Sequence, residues 1–149
     1  EMLADISNRF TLVFTGMTRS ASKVLSEEPD DLEDKSSRIR EIRIHADEAA
    51  IMLESGDLDS LGRLLNNTWI AKRGISSSIS NSSIDELYEK VMSSGAKGAK
   101  LLGAGNGGFL LVYGEKNLRE DLRKELGPEF RILPLGIDFS GSRIIHGNS

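Results

Sequence analysis

Gly95-Ala-Lys-Gly98-Ala-Lys100-Leu-Leu-Gly103-Ala-Gly105-Asn-Gly107-Gly108-Phe109 is the stretch on which the reading of this chain turns. Ala99 to Leu102 is a short apolar run, and Phe109-Leu-Leu-Val-Tyr113 is a second one just beyond the glycines. Two such runs so close together predict a β-hairpin. Four glycines, at 103, 105, 107 and 108, leave much of the connecting backbone without Cβ atoms. Successive amides can then line a concavity, and an anion such as phosphate can approach the main chain closely. Lys97 and Lys100 add positive charge nearby. A tight turn that only needs positive φ would use the same glycines, so the loop by itself leaves both readings open.

Outward from the hairpin, the periodicity assigns the rest. Phe10, Leu12 and Phe14 alternate with Thr11, Val13 and Thr15, predicting a strand that ends at Gly16. Thr18 to Leu25 reads as a short helix, and Glu27 to Asp34 as a solvated acidic loop. Ile39, Ile42, Ala46, Ala49, Ala50 and Leu53 follow a helical period stopped by Gly56. Asp57 is placed to cap a second helix, with Leu58, Leu61, Leu64, Leu65 and Thr68 on its apolar face and Gly74 at its end. The short Ser-Gly-Asp connection predicts an antiparallel helical hairpin. In the serine-rich stretch 76–83, Ile75 and Ile79 argue against a plain linker. Ser83 and Glu86 have capping-box spacing for a helix bearing Ile84, Leu87, Tyr88, Val91 and Met92, stopped by Gly95. Asn117 and Glu120 repeat that spacing before Leu118, Leu122 and Leu126, with Gly127 and Pro128 as the stop. Phe130 to Leu135 and Ser142 to His146 are the last strand candidates. Without the extra helices the order is strand, helix, strand, strand, helix, strand. That is an α+β chain of the split βαβ, or ferredoxin-like, plan, with a helical hairpin inserted in its first crossover.

Composition narrows the chemistry. A chain of 149 residues is one domain's worth, and no internal repeat is visible. Lys and Arg number 19 against 23 Asp and Glu, so no basic excess exists to hold nucleic acid or an anionic membrane by charge. With no cysteine, disulfides, thiolate zinc sites and cysteine nucleophiles are excluded. His45, between Ile44 and Ala46, reads as structural; His146, near the end, reads as incidental. Two histidines are too few for most histidine-built metal sites, and no metal ligands are assigned. No apolar run approaches the roughly 20 residues needed to span a bilayer, and no charged-then-apolar leader opens the chain. The expected location is cytoplasmic.

Two familiar phosphate motifs fail on context. Gly103, Gly105 and Gly108 have G-x-G-x-x-G spacing, but the dinucleotide-binding version must open a helix, and Phe109–Tyr113 is strand-like. The protein-kinase glycine loop does lie between strands, and Asp138-Phe139-Ser140 hints at that fold's metal-binding triplet. Yet there is no His-Arg-Asp loop and the chain is too short.

Lys100-Leu-Leu-Gly-Ala-Gly-Asn-Gly-Gly-Phe109 resembles the third conserved motif of the GHMP kinases, named for galactokinase, homoserine kinase, mevalonate kinase and phosphomevalonate kinase. Asn106 falls on the variable position of that motif. Thr15-Gly-Met-Thr-Arg19, Asn66-Asn-Thr-Trp69-Ile-Ala-Lys72, Ser83-Ile-Asp-Glu-Leu-Tyr88 and Gly141-Ser-Arg143 extend the resemblance, which covers nearly the whole chain and points to the sugar-phosphate branch. The resemblance implies a single C-terminal domain, residues 1–149, with a ferredoxin-like core. It also implies an N-terminal lobe carrying the helix-anchored phosphate loop and the magnesium ligands. No Pro-x-x-x-Gly-Leu-Gly-Ser-Ser stretch occurs here, and the abrupt start at Glu1 fits a piece without that lobe.

By the same resemblance, the complete enzyme transfers the γ-phosphoryl of ATP, with Mg, to a sugar hydroxyl such as the anomeric hydroxyl of heptose 7-phosphate. Gly103, Ala104, Gly105, Asn106, Gly107 and Gly108 would line the cofactor-binding cleft. Arg19, Lys72 and Lys100 would contact the substrate, with no catalytic residue in this piece, which is expected to be inactive alone. Arg19 could clamp a phosphate bidentately or sit at a helix start as a surface residue. Lys72 with Arg73 could reach phosphate or simply favour a helix C-terminus. Trp69 reads as core rather than as a sugar platform, and Ser76 to Ser78 as a solvated loop rather than as sugar ligands. The alternatives are a stand-alone small-anion-binding module and an assembly domain that pairs with a second copy through an open sheet edge.

Overall fold

The first apolar alternation forms strand β1 (Phe10–Phe14) in a computed structural model that describes residues 2–18 and 32–142. Strands β2 (Gly98–Leu101), β3 (Phe109–Tyr113) and β4 (Ile132–Pro134) join it in one sheet of spatial order β2-β3-β1-β4. All three pairings are antiparallel: Val13 lies opposite Leu110, Leu12 opposite Leu133, and Lys100 opposite Leu111. The helices are α1 (Met2–Arg9), α2 (Leu32–Ser55), α3 (Leu58–Arg73), α4 (Ser82–Ser93) and α5 (Leu118–Leu126). Between α3 and α4 lies one 3-10 turn, Ser77–Ile79. This is the expected split βαβ order, with α2 and α3 as the insertion before β2.

Alternation along the strands builds two hydrophobic layers. Val13, Ala99, Leu101, Leu110, Val112 and Ile132 meet Ile84, Leu87, Tyr88 and Val91 of α4 and Leu118, Leu122 and Leu126 of α5. Phe10 and Tyr113 pack with Ile6 of α1 and Leu58 of α3. Trp69 is fully buried in the larger core, as its helical spacing predicts, with the Arg73 guanidinium 5.8 Å from its ring centroid. Helix α3 lies so close to β2 that both contact positions are glycine. A Cβ on Gly62 would enter the Tyr113 ring, and a Cβ on Gly98 would overlap the Gly62 carbonyl.

Several local expectations need correction. Residues 2–9, given no element by periodicity, are helical, with Ile6 as the one buried side chain. The end of the acidic segment is not loop: Glu33 and Asp34 form the first turn of α2, where carboxylates favour the helix dipole. Asp57 does cap α3, its Oδ1 accepting the Ser60 amide at 3.0 Å. The Ser83–Glu86 box does not form, because α4 begins at Ser82 and Asn81 supplies the cap, accepting the Ile84 amide at 3.1 Å. Asn117 stands at the start of α5 without a capping bond, its amide donating instead to Asp121 at 2.7 Å. The helix expected over 18–25 begins at Thr18 and otherwise lies outside the described residues, as do most of the strand expected over 142–146 and His146 itself.

One end of the sheet is tied by a charge cluster. Asp59 accepts from Arg9 at 2.8 Å, from Tyr113 Oη at 2.9 Å and from Lys97 at 3.2 Å. Lys97 also pairs with Glu115. The Tyr113 hydroxyl, helped by Lys97 and Arg9, holds the Asp59 carboxyl down at about 2. A carboxylate depressed in the folded state contributes stability that is complete above its unfolded value of 3.8 and is lost as pH falls through about 2. The wild-type melting midpoint should therefore fall more steeply between about pH 4 and pH 2 than that of Asp59→Asn. Parallel curves would show that Asp59 carries no such linkage.

Candidate functional site

The glycine loop between β2 and β3 is gripped from two sides. On one, Gly108 donates its amide to Met17 O at 2.9 Å, and Thr15 Oγ1 and the Thr15 amide both donate to Gly108 O at 2.9 Å. On the other, the Asn106 amide donates to Ile79 O at 2.7 Å. Gly105, at φ +114°, lies so close that a Cβ would stand 2.8 Å from Ile79 O; at Gly107 a Cβ would stand 2.9 Å from Met17 O. Glycine is needed at both positions for close approach and not only for the turn. These bonds use the amides of 106 and 108. Among the described residues, the amides of Gly103, Ala104, Gly105 and Gly107 donate to no protein acceptor. Uncommitted amides in a loop of this shape are donors for an anion.

Beside the first half of the loop opens a cleft of about 390 Å³, lined by Lys35, Ile39, Lys72, Ser76, Lys100 and Ala104 among others. Lys35 comes from the first turns of α2, Lys72 from the last turn of α3, and Lys100 from the β2 face that looks toward these helices. Among the described residues no carboxylate pairs with any of the three. Lys72 Nζ donates to the Gly103 carbonyl, and to Leu101 O at 3.4 Å. Burial and the neighbouring Lys100 pull its pKa down to about 8, and burial also lowers that of Lys100. Half-buried cations lacking a counter-ion are destabilised until an anion arrives.

The pH sign follows from that depression. Neutral Lys72 is favoured in the folded state, so its contribution to stability improves as pH rises from about 8 toward its unfolded value of 10.5. A bound anion needs the charged form. Sulfate, which does not titrate here, should raise the melting temperature at pH 7 and lose that effect as pH passes about 8. Equal stabilisation at pH 7 and pH 9.5 would remove Lys72 from anion binding.

The structure thus gathers Lys72, Lys100, Gly103 and Ala104 at one cleft, whereas Gly105 to Gly108, expected with them, are not among its lining residues and pack against Ile79 and Met17. Arg19 lies outside the described residues. Lys97 does not join them, being engaged with Asp59 and Glu115 at the charge cluster. His45 is structural: its Nδ1 lies 3.0 Å from Thr68 Oγ1, between α2 and α3. Sequence reasoning missed Lys35, assigned Ser76 to a solvated loop, and gave Asn81 no role. Ser76 caps the 3-10 turn, accepting the Ser78 amide at 3.2 Å, and lines the cleft.

With this geometry in place, comparison with known proteins identifies the class. The profile of the C-terminal domain of GHMP kinases matches residues 48–131, and the chain belongs to that family of kinases. Among curated proteins, D-glycero-alpha-D-manno-heptose 7-phosphate kinase of Campylobacter jejuni is 30% identical over 130 residues, covering 83% of this chain and 38% of that protein. The bifunctional fucokinase/GDP-fucose pyrophosphorylase of Arabidopsis thaliana is 29% identical, over 83% of this chain and 12% of its own length. Among solved structures, Leishmania major (L. major) mevalonate kinase bound to R-mevalonate has TM-score 0.63 and 22% identity, covering 85% of this chain and 43% of that one. The chain therefore spans well under half the length of the relatives it matches. No helix among the described residues is long and apolar enough to cross a membrane.

Proposed function

We propose that this chain is the C-terminal lobe of an ATP-dependent sugar-phosphate kinase whose N-terminal lobe supplies the other half of the active site. The observation that carries the reading is the loop with four uncommitted amides beside three lysines that, among the described residues, no carboxylate neutralises. Both features suit phosphate oxygens. The magnesium ligands are assigned to the other lobe, in keeping with membership of the GHMP kinase family. The bound MgATP supplies the γ-phosphoryl group, which passes to the anomeric hydroxyl of an acceptor such as heptose 7-phosphate. This chain contributes position and charge. The amides of Gly103, Ala104, Gly105 and Gly107 donate to phosphoryl oxygens as negative charge shifts during transfer. Lys100, with Lys72 and Lys35, receives the acceptor's own phosphate, and the isoleucine side of the cleft excludes water. Arg19 is assigned as a further clamp on that phosphate, so Arg19→Ala should raise KM for the sugar phosphate.

The test is ADP release with MgATP and heptose 7-phosphate, comparing the 149-residue chain with the protein made from its complete reading frame. Turnover only by the longer protein supports a split active site and the heptose acceptor. Silence in both, with ATP still bound, moves the acceptor to another sugar or alcohol. Anion binding by the short chain with no turnover by either favours a binding module.

A further inference from the structure

Asn81 touches both sides of the grip on the glycine loop. Its Oδ1 caps α4 through the Ile84 amide, while its Nδ2 donates to Asn106 Oδ1 and lies 3.8 Å from Met17 Sδ. Asn106 crowns the loop at φ +56°, the one non-glycine with positive φ among the described residues. Asparagine tolerates that region better than most side chains but still needs to be held there. Asn81 stands two residues after Ile79, whose carbonyl takes the Asn106 amide, so main chain and side chain anchor Asn106 to the same short segment.

We propose that Asn81 is a positioning residue for the reaction. By clamping Asn106 it keeps the loop folded onto Ile79, so that the amides of Gly103, Gly105 and Gly107 stay aimed at phosphate. This role rests on the kinase reading for its effect on turnover, but not for its effect on the loop. It differs from helix capping, which any good cap residue at 81 would provide.

Substitutions separate the two roles. Serine caps as well as asparagine but is too short to reach Asn106. Aspartate caps too and can accept from the Asn106 side-chain amide once that group turns over. In the full-length protein, Asn81→Ser should speed exchange of the Asn106 amide by at least about tenfold, with amides 85–93 within about twofold of wild type. Asn81→Asp should keep Asn106 exchange slow. With MgATP and heptose 7-phosphate, Asn81→Ser should lower kcat about tenfold while KM for ATP stays within about threefold. Unchanged Asn106 exchange in Asn81→Ser, a rise spread equally over α4, or a loosened loop with full kcat would each overturn the proposal. If the wild type transfers no phosphoryl group, the kinase reading falls, and the exchange comparison still decides whether Asn81 clamps the loop.

Discussion

An alanine at Gly98 is expected to remove a large share of this chain's folding stability. The added methyl would overlap the Gly62 carbonyl, so the obstacle is backbone on both sides: the first residue of a strand against a helix interior. Neither can yield separately. β2 is held by β3 through four paired residues, and α3 is pinned by Leu58 and Trp69 in the two cores. Moving α3 outward would also uncover Tyr113, whose ring fills the space left by the absent Gly62 side chain. Overpacking commonly costs about 1–3 kcal/mol where side chains can rearrange. With rigid backbone on both sides the cost should be about 4 kcal/mol or more, a large share of the roughly 5–15 kcal/mol that holds a typical domain folded. Urea unfolding followed by circular dichroism would measure it, with Gly136→Ala as control, since nothing lies within 4 Å of a Cβ built there. A Gly98→Ala midpoint within about 0.5 M urea of wild type would show that α3 is not pressed against β2 as described.

The second large effect is on turnover. In the proposed enzyme Gly105→Val should reduce kcat/KM by about a hundredfold or more while leaving the domain folded. Its Cβ would stand 2.8 Å from Ile79 O and 3.0 Å from Ile79 Cα, at a φ of +114° that valine does not tolerate. The loop must lift, breaking the bond from the Asn106 amide to Ile79 O and turning the uncommitted amides away. Of the loop's side chains only Ala104 packs against the larger core, so the melting temperature should move by only a few degrees. Retained turnover in Gly105→Val would take the loop out of the phosphate site.

What the sequence discloses and what it hides divide along a physical line. The buried faces of α3 and α4 were legible because burial on one side imposes a period on the chain, and β1 and β3 because short apolar stretches bounded by glycine read as strands. Helix α1 was not, since it is only eight residues long and buries only Ile6, shorter than the window over which a period decides between elements. Neither capping box forms: Asn81 starts α4 two residues earlier than Ser83 would, and Asn117 turns its side-chain amide to Asp121. The loop was legible as a possible anion site because four glycines bare the backbone amides, although a plain tight turn would use the same glycines. Lys35 was not, for it stands 65 positions from Lys100 inside an ordinary charged segment, and only the packing of α2 on α3 brings the two to one cleft. The Gly103 carbonyl bound by Lys72 is a backbone contact, to which residue spacing is blind.

The strand order has a consequence for how the chain is made. β1 has β3 and β4 as its neighbours, and the nearer of the two begins 95 residues after Phe14. At roughly 5 to 20 residues per second, β1 waits on the order of 5 to 20 seconds on the ribosome with both edges unpaired. During that interval Phe10-Thr-Leu-Val-Phe14 is an apolar, uncharged five-residue segment of the type that pairs with other nascent copies. Yield of soluble protein should therefore depend on synthesis rate and chaperone supply more than the stability of the finished domain suggests.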